Sequence, residues 1–271
     1  MRPPRSHSLG SEMPSQLDPR TNTTSVDGQE TPLVVALLGN PNTGKSTLFT
    51  ALAGIPTRVG NYPGVTVEEK RGQFTHQSSR IELIDLPGIY SLIPRSPDED
   101  VAMAVLEGRQ EGSPKIDCVV VLADATSLER NCYLVSQALA LGLPVVVALT
   151  LVDLAADRGI SVDHATLASR LGCPVIPVIA PQRDGLAPLA DAIVATTKQS
   201  PPAAPTIHPE QIDDPNGHSP AALEAMARYR WIEQLLDGVV KIFELNPRAG
   251  FSLSSTIDEA MGIYLACLAR A

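Results

Sequence analysis

The string "GNPNTGKS", residues 39–46, follows the pattern G-x-x-x-x-G-K-[ST]. Before it stands the continuous apolar run "LVVALL" (33–38), and after it "KSTLFTALAG" (45–54), which has helical spacing and stops at a glycine. A strand, a glycine-bearing turn and a helix form the setting in which this string holds a nucleotide phosphate. Gly39 and Gly44 let backbone N–H groups turn inward around phosphate oxygens. The candidate nucleotide-binding residues are therefore Gly39, Asn40, Pro41, Asn42, Thr43, Gly44, Lys45 and Ser46, with Thr47 behind them. Lys45 would place a point charge on the β- and γ-phosphates, and the Ser46 hydroxyl would ligate Mg²⁺. The helix N-terminus adds its partial positive charge.

A second string, "DLPG", comprises Asp85, Leu86, Pro87 and Gly88 and ends a predicted strand some forty residues on. Alone, D-x-x-G usually marks a turn. After a phosphate loop it reads as a switch, with Asp85 holding Mg²⁺ through water and Gly88 offering its N–H to a γ-phosphate. Between the two strings lies "RVGNYPGVTVEEK" (58–70), which fits neither the helical nor the strand period at its start. Read as an irregular loop, it carries Thr66 framed by valines. The Thr66 hydroxyl and carbonyl would reach Mg²⁺ and the γ-phosphate only in the triphosphate state, as an order–disorder switch requires. Lys45, Thr66 and Gly88 are thus the catalytic candidates, and Ser46, Thr66 and Asp85 the Mg²⁺ candidates.

A guanine-reading loop has the form Asn-Lys-x-Asp after a strand. Here "PVVVALT" (144–150) runs into "TLVD", so Thr150 takes the asparagine slot, followed by Leu151, Val152 and Asp153. The Asp153 carboxylate can accept from guanine N1–H and N2–H groups, an edge adenine lacks. "IAP", Ile179, Ala180 and Pro181, could offer a backbone N–H to guanine O6.

The elements that must position these residues can be read from patterning. "LVVALL", "CVVVLADA" (118–125) and "PVVVALT" are apolar throughout, as strands buried on both faces are. "TVEEKRGQF" (66–74) and "IELIDL" (81–86) alternate around "HQSS", which predicts a hairpin. "SPDEDVAMAVLEG" (96–108) opens on a capping box, Ser96 with Glu99, and "TSLERNCYLVSQALALG" (126–142) on a second, Thr126 with Glu129. A short helix near 163–171, a strand at 174–179 and a helix near 185–198 follow. Strands alternating with helices predict an α/β fold, a mostly parallel sheet covered on both faces. Residues 1–31 read as a disordered tail, 32–199 as the nucleotide-binding domain, 200–220 as a proline-rich linker and 221–271 as a small helical appendage whose first part, 221–245, is amphipathic.

Composition narrows the classes. The 271 residues are 44% hydrophobic but 4% aromatic, so the core must be aliphatic, and the net charge of −9 argues against nucleic acid as a partner. Cys118, Cys132, Cys173 and Cys267 form no CxxC and read as reduced thiols of a cytosolic protein. The five histidines are dispersed without metal-ligand spacing. The late apolar run "AMGIYLACLA" (260–269) is about half of what spans a bilayer.

"GNPNTGKSTLF", "RVGNYPGVTVEEKRG", "IDLPGIYSLIPRSPDED" and "LGLPVVVALTLVDLA" together resemble the N-terminal G domain of ferrous iron transport protein B (FeoB). The resemblance covers about 33 to 198 and continues more loosely into "ARYRWIEQLL", similar to that family's helical spacer. It implies a Ras-like P-loop GTPase fold, guanine nucleotide and Mg²⁺ as cofactors, slow GTP hydrolysis stimulated by K⁺, and a membrane-embedded ferrous iron permease as partner at the cytoplasmic face of the inner membrane. By the same resemblance Asn42 would help ligate K⁺. The residue after D-x-x-G is the apolar Ile89, so the water-positioning glutamine of Ras-like switches is absent, and a cation beside the transferring phosphoryl would supply positive charge instead. Thr150 departs from the family's asparagine. Two other readings stand beside this one: a nucleotide sensor or scaffold with little hydrolysis, and a soluble GTPase of another role such as ribosome assembly.

Overall fold

A computed structural model describes residues 31–215 and 217–242. The tail read at 1–31, except for Thr31, lies outside the described residues, as do Cys267 and the rest of the appendage beyond 242. In chain order the elements are β1 (Leu33–Gly39), α1 (Lys45–Ala53), β2 (Arg58–Asn61), β3 (Glu68–His76), β4 (Ser79–Asp85), α2 (Pro97–Leu106), β5 (Cys118–Asp124), α3 (Leu128–Leu139), β6 (Val145–Thr150), α4 (Val152–Asp157), β7 (Ile160–Val162), α5 (His164–Leu171), β8 (Val175–Pro177), α6 (Leu186–Thr196), α7 (Pro220–Leu236) and β9 (Val240–Ile242).

One sheet carries seven strands in the order β2-β3-β4-β1-β5-β6-β8, and β7 pairs with β9 in a separate ribbon. β1 lies parallel to both β4 and β5, β5 to β6 and β6 to β8, while the β3–β4 hairpin and β2 run antiparallel. Every residue of β5 and β6 is buried, because helices cover both faces. The period of two divides the side chains cleanly: Val35, Leu37, Val120 and Val146 pack with Leu48 and Phe49 of α1 and Leu189 and Ile193 of α6. Ala36, Leu38, Val121 and Val147 pack on the other side with Val101 of α2, Leu134 of α3, Leu167 of α5 and Ile232 of α7. A parallel arrangement brings the C-terminal ends of β1, β4, β5, β6 and β8 to one edge, where an open α/β sheet binds its ligands.

Several local expectations differ from what forms. The stretch from Arg58 to Asn61 is strand, not irregular loop; it pairs antiparallel with β3, Arg58 opposite Arg71 and Asn61 opposite Glu68. All four residues are exposed, so no alternation could betray the strand; it forms because β3 offers a free row of backbone groups. β3 begins at Glu68 rather than at Thr66. Half of the Ser96 box forms: Ser96 Oγ accepts from Glu99 N at 3.3 Å, whereas Glu99 Oε2 accepts from Arg95 N, one residue before the cap, at 3.0 Å. The Thr126 box does not. Asp124 Oδ1 takes both the amide and the hydroxyl of Thr126 at 2.7 Å, winding Ala125–Ser127 into a 3₁₀ turn, and α3 starts only at Leu128. The helix read over 221–245 stops at Leu236, and Val240–Ile242 leave it to pair with β7. α4 and β7 had no clear signal in the sequence.

α7 is tied to the sheet's helices. Tyr229 stacks on Tyr133 of α3 with centroids 5.3 Å apart, and Arg228 Nη1 donates to Ser136 Oγ at 2.9 Å. Arg170 of α5 donates to the carbonyls of Leu235 and Asp237 at 2.7 Å, neutralising the end of α7. Cys118, Cys132 and Cys173 are free and buried, and burial pushes the thiols of Cys118 and Cys173 up to about 12. Among the described residues, no helix is long and apolar enough to cross a membrane.

Candidate nucleotide-binding site

The phosphate loop leaves β1 at Gly39 and enters α1 at Lys45. Two residues take left-handed backbone, Asn42 at φ 67 and Gly44 at φ 83; asparagine and glycine are the types that adopt it at least cost. Thr43 bridges the turn, donating from Oγ1 to Asn40 O at 2.8 Å. Gly39 is demanded by space: a Cβ there would lie 2.9 Å from Thr43 Oγ1 and 3.1 Å from Leu122 Cβ. Gly44 caps α1, whose first backbone bond runs from Leu48 N to Gly44 O at 2.9 Å. Asn42, Ser46 and Thr47 are exposed at the mouth, whereas the side chain of Asn40 is buried with neither amide atom hydrogen-bonded.

The DLPG string is sewn to this loop. Leu86 N donates to Leu37 O at 3.1 Å and Ile89 N to Gly39 O at 3.2 Å. Gly88 sits so close to Pro41 that a Cβ would stand 3.3 Å from its Cα. Across the loop, Lys45 Nζ donates to Asp85 Oδ1 at 2.5 Å. Residues 39–46 and 85–88 therefore share one cradle.

Thr66 is placed differently. It is exposed in the turn that joins β2 to β3, and no hydrogen bond links it to the phosphate loop. The turn is pegged at both ends: Tyr62 N donates to Val67 O at 2.9 Å, and both side chains sink into the core. Tyr62 is 1% exposed and its hydroxyl has no hydrogen-bond partner. Burial raises the Tyr62 pKa far above the usual phenol value, with the Glu69 carboxylate adding to it. Neither Tyr62 nor Val67 was singled out from sequence; an aromatic amid glycine and proline was the available signal.

The third group gathers at the ends of β6 and β8. Thr150 is buried, and its Oγ1 donates to Thr43 O at 2.8 Å, with Ala123 O at 3.4 Å. Leu151 turns through left-handed backbone at φ 55, which throws Asp153 out, exposed, in the first turn of α4. Val178 N bonds Leu149 O, and Ile179, Ala180 and Pro181 enter a 3₁₀ turn that packs against α1. The fold thus collects the phosphate loop, Asp85 to Gly88, the 150–153 loop and the 179–181 turn on one edge. Asp124, opposite Thr150 in the β5–β6 register, also belongs there; a polar residue ending an all-apolar strand was its trace in the sequence. Among the described residues, no group of three or more His, Cys, Asp or Glu side chains could hold a metal ion.

A family model described as ferrous iron transport protein B matches residues 33–193. The Fe(2+) transporter FeoB of Legionella pneumophila (strain Paris) is 45% identical over 171 residues, 61% of this chain and 22% of that protein. The chain therefore spans about a fifth of the length of the curated relatives it matches. Among solved structures, the cytosolic domain of L. pneumophila FeoB has a TM-score of 0.66 at 36% identity, covering 77% of this chain and 99% of that one. The cytosolic domain of T. maritima FeoB in its GMPPNP form has a TM-score of 0.67 at 28% identity, over 77% and 99%. These likenesses extend over the mostly parallel sheet, its helices and the phosphate loop, the P-loop GTPase fold expected from the motifs. The matched region takes in more than half of the 271 residues, and the chain belongs to the ferrous iron transport protein B family.

Proposed function

We propose that the chain is the GTP-binding, GTP-hydrolysing switch domain of a ferrous iron transport system, and that K⁺ stimulates its turnover. The observation that carries this reading is the phosphate loop at the head of α1, turned at Asn42 and Gly44, with Lys45 facing Asp85. It is supported by relatives whose cytosolic domain was solved in GMPPNP and GDP forms. In this reading Gly39 to Thr47 wrap the phosphates, Lys45 contacts the β- and γ-oxygens, and Gly88 offers its N–H to the γ-phosphate. Asp153 reads guanine N1–H and N2–H, flanked by Thr150, Leu151 and Val152, and the 179–181 turn offers Ala180 N–H to O6. Water attacks the γ-phosphorus, the bond to the β–γ bridging oxygen breaks, and GDP, inorganic phosphate and a proton leave.

The donors suit the expected cations. Ser46 presents an exposed hydroxyl in the first turn of α1 and Asp85 a carboxylate at the end of β4, hard oxygens of the kind Mg²⁺ takes. Mg²⁺ on the phosphates would neutralise the charge developing on the transferred group. Thr66 joins this set only if the 63–66 turn swings inward. Asn42, exposed at the loop's mouth, offers an amide oxygen to K⁺. The partner in this reading is a membrane-embedded ferrous iron permease, which places the domain at the cytoplasmic face of the inner membrane; the net charge of −9 gives no reason to expect nucleic acid.

A second reading, a nucleotide sensor with little hydrolysis, draws on the exposed Thr66 and on the apolar, buried Ile89 that follows Gly88. GTP turnover measured in K⁺ and in Na⁺ at matched ionic strength separates the two. Faster turnover in K⁺ supports the switch domain. Tight GTP binding with no turnover in either salt supports the sensor.

A further inference from the structure

Thr150 ends β6 at 4% exposure, and its Oγ1 faces two carbonyl oxygens, Thr43 O at 2.8 Å and Ala123 O at 3.4 Å. A hydroxyl has one proton to give. Both neighbours are acceptors, so that proton is committed to the backbone, chiefly to the phosphate loop. The carbonyl it holds lies between the two left-handed residues, Asn42 and Gly44. In a trans peptide the C=O and the following N–H point opposite ways. Holding Thr43 O toward Thr150 therefore turns the Gly44 N–H away from Thr150, to the other side of the loop. The remaining handles of Thr43, its N–H and its own hydroxyl, both go to Asn40 O, so the turn is fixed from two sides.

An asparagine in this slot carries two amide protons and could brace the loop while donating the second to an acceptor such as purine N7. Threonine cannot divide one proton that way. Its oxygen can still accept, but N7 is itself an acceptor and gains nothing from a lone pair.

We propose that Thr150 is a positioning residue of the phosphate loop, acting through the Thr43 carbonyl, and that it leaves purine N7 unread. Guanine preference then rests on the Watson–Crick edge through Asp153. This inference depends on the chain binding guanine nucleotides as proposed above.

Titration calorimetry of the wild-type chain and three variants against GDP and 7-deaza-GDP, which lacks the N7 acceptor, tests it. The wild type should bind the two within about twofold of each other. Thr150→Val removes the brace and should weaken both by the same factor, about two- to tenfold. Thr150→Ser keeps the hydroxyl and should bind as the wild type does, an outcome that a purely structural role of the methyl group would not give. Thr150→Asn should newly prefer GDP over 7-deaza-GDP by about two- to tenfold. A wild-type preference for GDP of about tenfold or more would overturn the inference, as would an undiminished Thr150→Val or an unrescued Thr150→Ser. If the wild type binds neither nucleotide, the guanine-nucleotide reading itself fails and takes this inference with it, a result distinct from GDP binding with the wrong ratio.

Discussion

Lys45 Nζ and Asp85 Oδ1 lie 2.5 Å apart although forty positions separate them in the chain. Their side chains are 12% and 6% exposed, so each charge is largely out of water and answered by the other. In the proposed reading, a phosphate oxygen draws Lys45 from this pair and a cation draws Asp85. Lys45→Ala should therefore abolish binding of a labelled GTP analogue. It should also lower stability of the nucleotide-free chain by on the order of 3 kcal/mol, because Asp85 is left as an unpaired, mostly buried carboxylate. Urea unfolding and filter binding measure the two effects, and undiminished binding by the mutant would remove the phosphate-loop assignment.

Thr66 stands exposed in its turn, with no hydrogen bond to the phosphate loop. If its role belongs to the triphosphate state, Thr66→Ala should slow turnover by tenfold or more while leaving GDP affinity within about twofold, since only interactions made late are lost. A drop in GDP affinity as large as the drop in rate would make Thr66 a structural residue.

Asn42 occupies left-handed backbone at φ 67, so alanine there would add strain to the loss of the amide. Glycine removes the amide and keeps the backbone unstrained. Asn42→Gly should retain GDP binding yet lose the difference between K⁺ and Na⁺ turnover. A variant still stimulated by K⁺ would show that the cation is held elsewhere.

The Tyr62 hydroxyl is buried without a hydrogen-bond partner. A desolvated, unpaired polar group costs about 1–3 kcal/mol. Tyr62→Phe keeps the ring that pegs the β2–β3 turn and discards that cost, so stability in urea unfolding should hold or rise by about 1 kcal/mol. Tyr62→Ala, which leaves a cavity, should instead lose about 3–5 kcal/mol. A marked loss in the phenylalanine variant would mean that the hydroxyl is bonded in solution.

What the sequence determined by itself was whatever depends on local pattern. β1, β5 and β6 were legible because strands covered on both faces have no reason to alternate, and all three are apolar runs. The phosphate loop was legible because its demands are local: glycine where the chain turns, lysine and serine at the head of a helix. Asp85 and Gly88 were legible from their place at a strand end. Other features depend on partners far away in the chain. Arg58–Asn61 became a strand because the edge of β3 was available to it, and exposure of both its faces erased the pattern that would have announced it. The Thr126 cap was lost to the Asp124 carboxylate ending the preceding strand. Tyr62 sits in a glycine- and proline-bearing turn, and only the fold sends its ring into the core. Thr150 could be placed at the end of its strand from position alone, but its hydrogen-bond partner is a carbonyl 107 residues earlier. Hydrogen-bond partners at that separation are chosen by the register of parallel strands, which a linear pattern does not contain.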